Sequence, residues 1–281
     1  MIQLQPHEYP KDFYYHRTGS ATYRKYLESC GLTTFDINHP PQFAWKKKLF
    51  GNTVAIIKYE RTDVEPDIEM LRSTLGVKHG MIAWIPYSRT EAPKGWRRLY
   101  LTDHFQETGY SLLEDENYPK KWNERARRAR KKFLVSGGVV KAVSAAEYVE
   151  AFRATKVKHW YKSDYISYYK KITSIGGESI RQWLCYDTSG KAVAGLSVHD
   201  FNGDHSVHLS AFTGKDAYPI QGGTGLIDEW YKDSLARGVK YLSFDQLRQK
   251  GGPNEQKGYT EFKKNFIDFG LSFPKAYFRF F

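Results

Sequence analysis

The sequence predicts a mixed α/β (α+β) chain of two subdomains, each a mixed, mostly antiparallel sheet flanked by helices. Three observations carry this expectation. Strand-like apolar segments alternate with helical ones along the chain. In the second half, a strand runs through a Gly-rich turn into a helix and then another strand, a βαβ-like unit. The first half shows a smaller version of that order.

The elements follow in order. Residues 20–31, SATYRKYLESCG, predict a helix with Gly31 as its C-cap. Two prolines, Pro40 and Pro41, then break the chain ahead of a short helix expected around Trp45. Residues 52–61 predict a strand, 68–76 a helix, 80–88 an apolar strand, and 96–115 one or two further strands. Pro119 suits a helix start, and the VSGG segment stops that helix at Gly137 and Gly138. A short strand at 139–144 precedes helices at 145–161 and 163–177. Three strands fill 180–214, with TSGK and Asn202-Gly203 as hairpin turns. A helix at 224–238, a strand at 240–247, a polar loop, a helix from Tyr259 and an aromatic strand complete the chain. The expected subdomains are 1–118 and 139–281, joined by a basic linker helix at 119–138.

Composition bounds the function. The 281 residues are 41% hydrophobic and 16% aromatic, so most of the chain should fold. Net charge is +12 with a pI near 9.4, which favours anionic partners: nucleic acid, phosphorylated substrates or an anionic membrane surface. Two cysteines, Cys30 and Cys185, cannot build a zinc site or a disulfide framework. His205 and His208 differ by three and should point to opposite strand faces, so no metal site is expected there. The N-terminus lacks a signal-peptide core, and no window is apolar enough to span a bilayer. The expected location is the cytoplasm, including the inner face of the cell membrane.

Charge concentrates between Lys120 and Lys132, which hold eight Lys or Arg and one acid, Glu124. Trp122, Ala126, Ala129 and Phe133 are spaced as one helical stripe. The helix should pack along that stripe, with Arg125, Arg127 and Arg128 flanking it toward an anionic partner. A solvated face is the plainer alternative.

Gly222, Gly223 and Gly225 stand where a helix begins, and free N–H groups there attract anions. The turn resembles the pyrophosphate loop of the GNAT acetyltransferase superfamily, Gln/Arg-x-x-Gly-x-Gly/Ala. Gly223 and Gly225 match its glycines; Ile220 holds the Gln/Arg position, with Gln221 one place late. The alternative is a glycine turn that only joins strand to helix.

A narrower resemblance covers most of residues 40–270. Gly238, Tyr241, Asp245, Gly251, Gly252, Phe262, Lys263 and Phe266 follow the order of the second subdomain of Fem-type peptidoglycan-bridge aminoacyltransferases, which are built from two GNAT-like subdomains. The segments PQFAWKKKLFG, NERARRARKKFLVSGGVVKAV and VKHWYKSDYISYY resemble three more of that family's segments, in the correct order. The resemblance implies transfer of an aminoacyl group from aminoacyl-tRNA to an amine of a phosphorylated cell-wall precursor, itself lipid-linked or free. Peripheral contact with an anionic membrane fits such a substrate. No cofactor is required; acyl-CoA is the donor in the alternative. It further implies that Trp45, Lys47 and Lys158 contact the acceptor, with Lys47 and Lys158 at its phosphate end. Arg125, Arg128 and Tyr218 join them as binding candidates. Lys263 would sit near the reacting carbonyl. Asp164 stands where some members carry a second basic residue.

Amide formation from an activated ester needs alignment and a stabilised oxyanion, without a covalent nucleophile. Lys263 is the expected oxyanion donor and Asp245 the expected proton acceptor. Asp245 as a cap of the loop after its strand is the plainer alternative, as is a solvated face for Lys263 and Lys264. A non-enzymatic nucleic-acid-binding protein remains the reading from a different class.

Overall fold

A computed structural model describes residues 2–4, 20–35, 42–60, 62–89, 91–99, 107–155, 162–248 and 257–281. Its elements begin with β1 (Ile2–Leu4), α1 (Ala21–Ser29), β2 (Thr33–Phe35), β3 (Gln42–Leu49), β4 (Asn52–Glu60), α2 (Ile68–Leu75), β5 (His79–Ile85), β6 (Arg97–Arg98) and β7 (Glu107–Leu112). Then come α3 (Tyr118–Lys121), α4 (Glu124–Leu134), β8 (Val139–Ala142), α5 (Ala145–Ala154), α6 (Lys162–Gly176), β9 (Ile180–Tyr186), β10 (Ala192–Phe201) and β11 (His205–Thr213). The chain ends with α7 (Ala217–Ile220), α8 (Gly222–Ala236), β12 (Tyr241–Leu247), α9 (Lys257–Lys263), β13 (Phe269–Ser272) and β14 (Tyr277–Phe280).

The chain divides into two compact units. One holds Gly109–Asp245 and Lys257–Phe269; the other holds Gln3–Thr108, Gln246–Gln256 and Gly270–Phe281. Helices α3 and α4, expected as a separate linker at 119–138, are grouped with the first unit. The strands form two mixed sheets, in the orders β1-β13-β7-β12-β11-β10-β9-β8 and β2-β3-β4-β5-β14-β6.

The two sheets share a local plan. In one, β3 and β4 are antiparallel, and α2 then carries the chain to β5, parallel to β4. In the other, β10 and β11 are antiparallel, and α8 carries the chain to β12, parallel to β11. Local chemistry explains the turns. Asn202 and Gly203 take φ of 55° and 80°, the left-handed pair that a tight hairpin needs. Asp67 caps α2 by accepting from the N–H groups of Glu69 and Met70, and Gly76 closes it at φ 62°. A core of Ile57, Tyr59, Leu71, Trp84 and Tyr277 supports the sheet of the second unit.

Two expectations are corrected. Trp45 lies in strand β3, not in a short helix. Three consecutive lysines hide the strand period, and pairing of Trp45 with Ile56 and of Lys47 with Val54 decides the conformation. The basic segment is also not one helix. Trp122 is extended at φ −65°, ψ 150°, and separates α3 from α4. That break seats its indole against Tyr231 and Phe266, with ring centroids 5.2 and 4.9 Å away. Asn123 then restarts the helix by accepting from the Ala126 N–H. The apolar stripe survives the break: Trp122, Ala126 and Phe133 are buried.

Candidate active site

The parallel pair β11–β12 is where the first unit opens. Register partners run only from His205–Tyr241 through Ser206–Leu242 to Val207–Ser243. Beyond them β11 continues to Thr213 and β12 to Leu247. Crevices at the carboxyl ends of parallel strands are where α/β sheets take ligands. The β10–β11 ladder also slips here. Ser197 faces Ser210 while Val198 faces His208, so Leu209 is the extra residue of a bulge.

Four side chains collect at this opening. Asp245 sits on β12 at φ 57°, a left-handed conformation that aspartate tolerates better than most residues. Backbone strain of this kind concentrates at functional sites. Lys263 closes α9 and is only 3% exposed. Its ammonium donates to the Phe244 carbonyl, one residue before Asp245, and lies 4.2 Å from the centroid of the Tyr259 ring. A buried ammonium needs such partners, because desolvation of an isolated charge is costly. Tyr259 stands one helical turn before Lys263, and its hydroxyl is 2.6 Å from His208 Nε2. The Tyr259 residue is 38% exposed, yet its hydroxyl end is enclosed. Burial first, and then the Asp245 charge, hold that phenol well above its ordinary pKa. The hydroxyl therefore stays protonated at neutral pH. Beside this group, the buried Tyr148 hydroxyl shares a 2.8 Å hydrogen bond with Ser210. Burial, then Tyr165 and Tyr169, raise its pKa as well.

The expected catalytic pair, Lys263 and Asp245, thus comes together through Phe244. Lys263 rather than Lys264 faces inward: Lys264 retains 35% side-chain exposure and lies 3.5 Å from Glu261. His208 and Tyr259 were not singled out from sequence for this site. They lie 51 positions apart, and no local spacing marks them as a pair.

The glycines stand where a helix begins, as expected. Gly222, Gly223 and Gly225 lie within the first turn of α8. Gln221, at φ 58°, joins α7 to α8. A Cβ on Gly225 would fall 2.4 Å from the Phe133 ring, and one on Gly222 would fall 3.0 Å from Cys185 Sγ. These two glycines therefore let α4 and β9 approach α8. At Gly223 a Cβ would meet Phe262 at 3.4 Å, an ordinary contact. A testable contrast follows. Gly225→Ala should destabilise the fold by about 1–2 kcal/mol, overpacking outweighing the gain in helix propensity. Gly223→Ala should be neutral or stabilising by a few tenths of a kcal/mol, read as urea midpoints.

The remaining candidates are dispersed. Arg125 and Arg128 are exposed on α4, and Arg128 pairs with Glu124. Arg130 turns inward to Asp228, 2.6 Å away, where the buried Tyr118 hydroxyl also donates. Lys121 pairs with Glu114 at 2.5 Å. Lys121, Arg128 and Arg130 are therefore ion-paired within the chain, and Arg127 donates to the Lys120 carbonyl at 3.4 Å. Tyr218 is exposed on α7. Trp45 and Lys47 belong to the second unit. Asp164 is exposed in the first turn of α6. Lys158, Gly251 and Gly252 fall outside the described residues. Cys185 is core: burial, then Asp187, push its thiol up to about 11, which leaves it protonated and unreactive.

No family model matches the sequence, and no curated protein does. Solved structures do match. FemX superposes with a TM-score of 0.67 at 10% identity, covering 99% of this chain and 96% of FemX. A conserved protein of unknown function from Bacteroides thetaiotaomicron matches at TM-score 0.55 and 7% identity, over 93% of this chain and 90% of that one. The C-terminal domain of a protein designated a lysylphosphatidylglycerol synthetase, from Agrobacterium fabrum, matches at 0.53 and 11% identity, over 92% and 87%. At such identities the likeness is one of architecture: in fold, the chain is of the Fem type, with two mixed α/β units.

Proposed function

We propose that this chain is an N-acyltransferase that moves an aminoacyl group from aminoacyl-tRNA to the amine of a phosphorylated acceptor. The observation that carries the reading is the buried Lys263 ammonium, fixed beside Asp245 where β11 and β12 part. The acceptor amine attacks the ester carbonyl, and its lone pair forms the new C–N bond. The carbonyl electrons move onto oxygen, where the Lys263 charge stabilises them. Collapse expels the ribose oxygen, and the amine proton passes to Asp245 and then to that leaving oxygen. The enclosed Tyr259–His208 pair holds the Lys263 side of the site in place. The Fem-type resemblance supports a cell-wall precursor as acceptor.

Donor choice is testable. The crowding of Gly222 and Gly225 by Cys185 and Phe133 leaves those positions a packing role and favours a donor other than coenzyme A. Transfer of a radiolabelled amino acid from charged tRNA to an amine acceptor should be detected. Calorimetric titration with acetyl-CoA should show no saturable micromolar binding. Saturable binding there, with no transfer from tRNA, would replace this donor with acyl-CoA.

A further inference from the structure

The β3–β4 hairpin carries a feature that the chemistry above does not use. Leu49 pairs with Asn52, so Phe50 and Gly51 form a two-residue turn, with φ of 50° and 81°. Such turns favour Asn-Gly, because both central residues are left-handed. A phenylalanine there is a conformational outlier. It is also 102% exposed, so nothing among the described residues offsets either the strain or the wetted ring. Leu49 beside it is 50% exposed. Farther along the same outward face, the paired residues Trp45 and Ile56 are 38% and 40% exposed. The opposite face is core: Ala44, Ala55 and Ile57 are buried. Lys46, Lys47 and Lys48 run along the hairpin just below the tip, all exposed.

From this arrangement we infer that the hairpin tip is a membrane-docking wedge for a bilayer containing anionic lipid. Phe50 and Leu49 enter the interface between headgroups and acyl chains, and the three lysines sit at the level of the phosphates. An apolar tip above a cationic collar matches the layering of such a surface. RNA fits less well: aliphatic Leu49 neither stacks on bases nor hydrogen-bonds to them, whereas a bilayer covers it. The inference is independent of the acyl-transfer chemistry.

The test is flotation of the full chain with phosphatidylcholine vesicles, alone or mixed equally with phosphatidylglycerol. Wild-type protein should float with the mixed vesicles and not with the neutral ones, and added salt should release it. Phe50→Asn should lower the vesicle affinity about tenfold or more. Asn suits the turn, so this variant should unfold no earlier than wild type. Phe50→Leu keeps an apolar tip and should retain most of the binding. The pair Lys46→Gln and Lys48→Gln should each weaken binding about fivefold. The proposal is overturned if Phe50→Asn floats as well as wild type, or if neutral vesicles bind equally. It is equally overturned if the lysine variants lose tRNA retention while wild type ignores vesicles.

Discussion

Lys263→Met should lower kcat/KM for acyl transfer about a hundred- to a thousand-fold, the loss expected when a preorganised charge is removed from an oxyanion. The fall should appear in kcat, with KM little changed, because the charge acts on the transition state rather than on bound substrate. Burial amplifies the effect: at 3% exposure the ammonium is shielded from water, and it is already oriented by the Phe244 carbonyl and the Tyr259 ring. The same burial has a structural side. Losing the lysine strands the Phe244 carbonyl, at a cost of about 1–3 kcal/mol. The folded fraction must therefore be measured beside the rate. Lys263→Arg separates the two roles, since it keeps the charge and a donor; it should regain part of the rate. If Lys263→Met turns over like wild type while folded, the ammonium is structural. A protein that only binds nucleic acid would show a small, salt-screened loss of affinity and no rate to lose.

How far the sequence reveals this site depends on whether the deciding contacts are local. The hairpin at Asn202–Gly203 and the cap at Gly76 follow from single-residue backbone preferences, and the helical stripe at 126 and 133 from a short period. The inward choice of Lys263 over Lys264 is legible only through the Fem-type resemblance, since the Phe262 and Phe266 stripe by itself leaves the two lysines undecided. What stays hidden is non-local. His208 meets Tyr259 only because a bulge at Leu209 and the end of the β11–β12 pairing bring an α9 side chain to that strand. The strand character of Trp45 is hidden in the sequence because it comes from β4, across a Phe-Gly turn that no turn preference predicts. The break at Trp122 is set by aromatic partners more than a hundred positions away.

Arg181→Met should destabilise the first unit by about 3 kcal/mol, the low end for breaking a buried ion pair. Arg181 lies on β9 at 7% exposure, at the centre of a network joining three strands to α8. Its guanidinium reaches Asp200 on β10 through Nε and Nη2, at 2.6 and 2.7 Å. It also pairs with Asp233 on α8 and donates to Ser234 at 3.1 Å. The plane lies 5.2 Å from the Trp183 ring centroid, and Trp230 Nε1 completes the set by donating to Ser206 at 2.9 Å. These contacts hold α8 against the strands that open at the site. Removing the guanidinium leaves two carboxylates facing each other across a gap. They retain 20% and 30% side-chain exposure, so water recovers part of the loss, which places the estimate at the low end. Arg181→Lys keeps the charge but cannot bridge both acids in the same plane, and should fall between wild type and Met. Adding Asp200→Asn and Asp233→Asn to Arg181→Met should recover stability, because the charges of the network are then removed together. Urea unfolding, followed by hydrogen exchange of the β9–β11 amides, reads the effect. If Arg181→Met leaves those amides as protected as in wild type, the network is not what fastens α8 to the sheet.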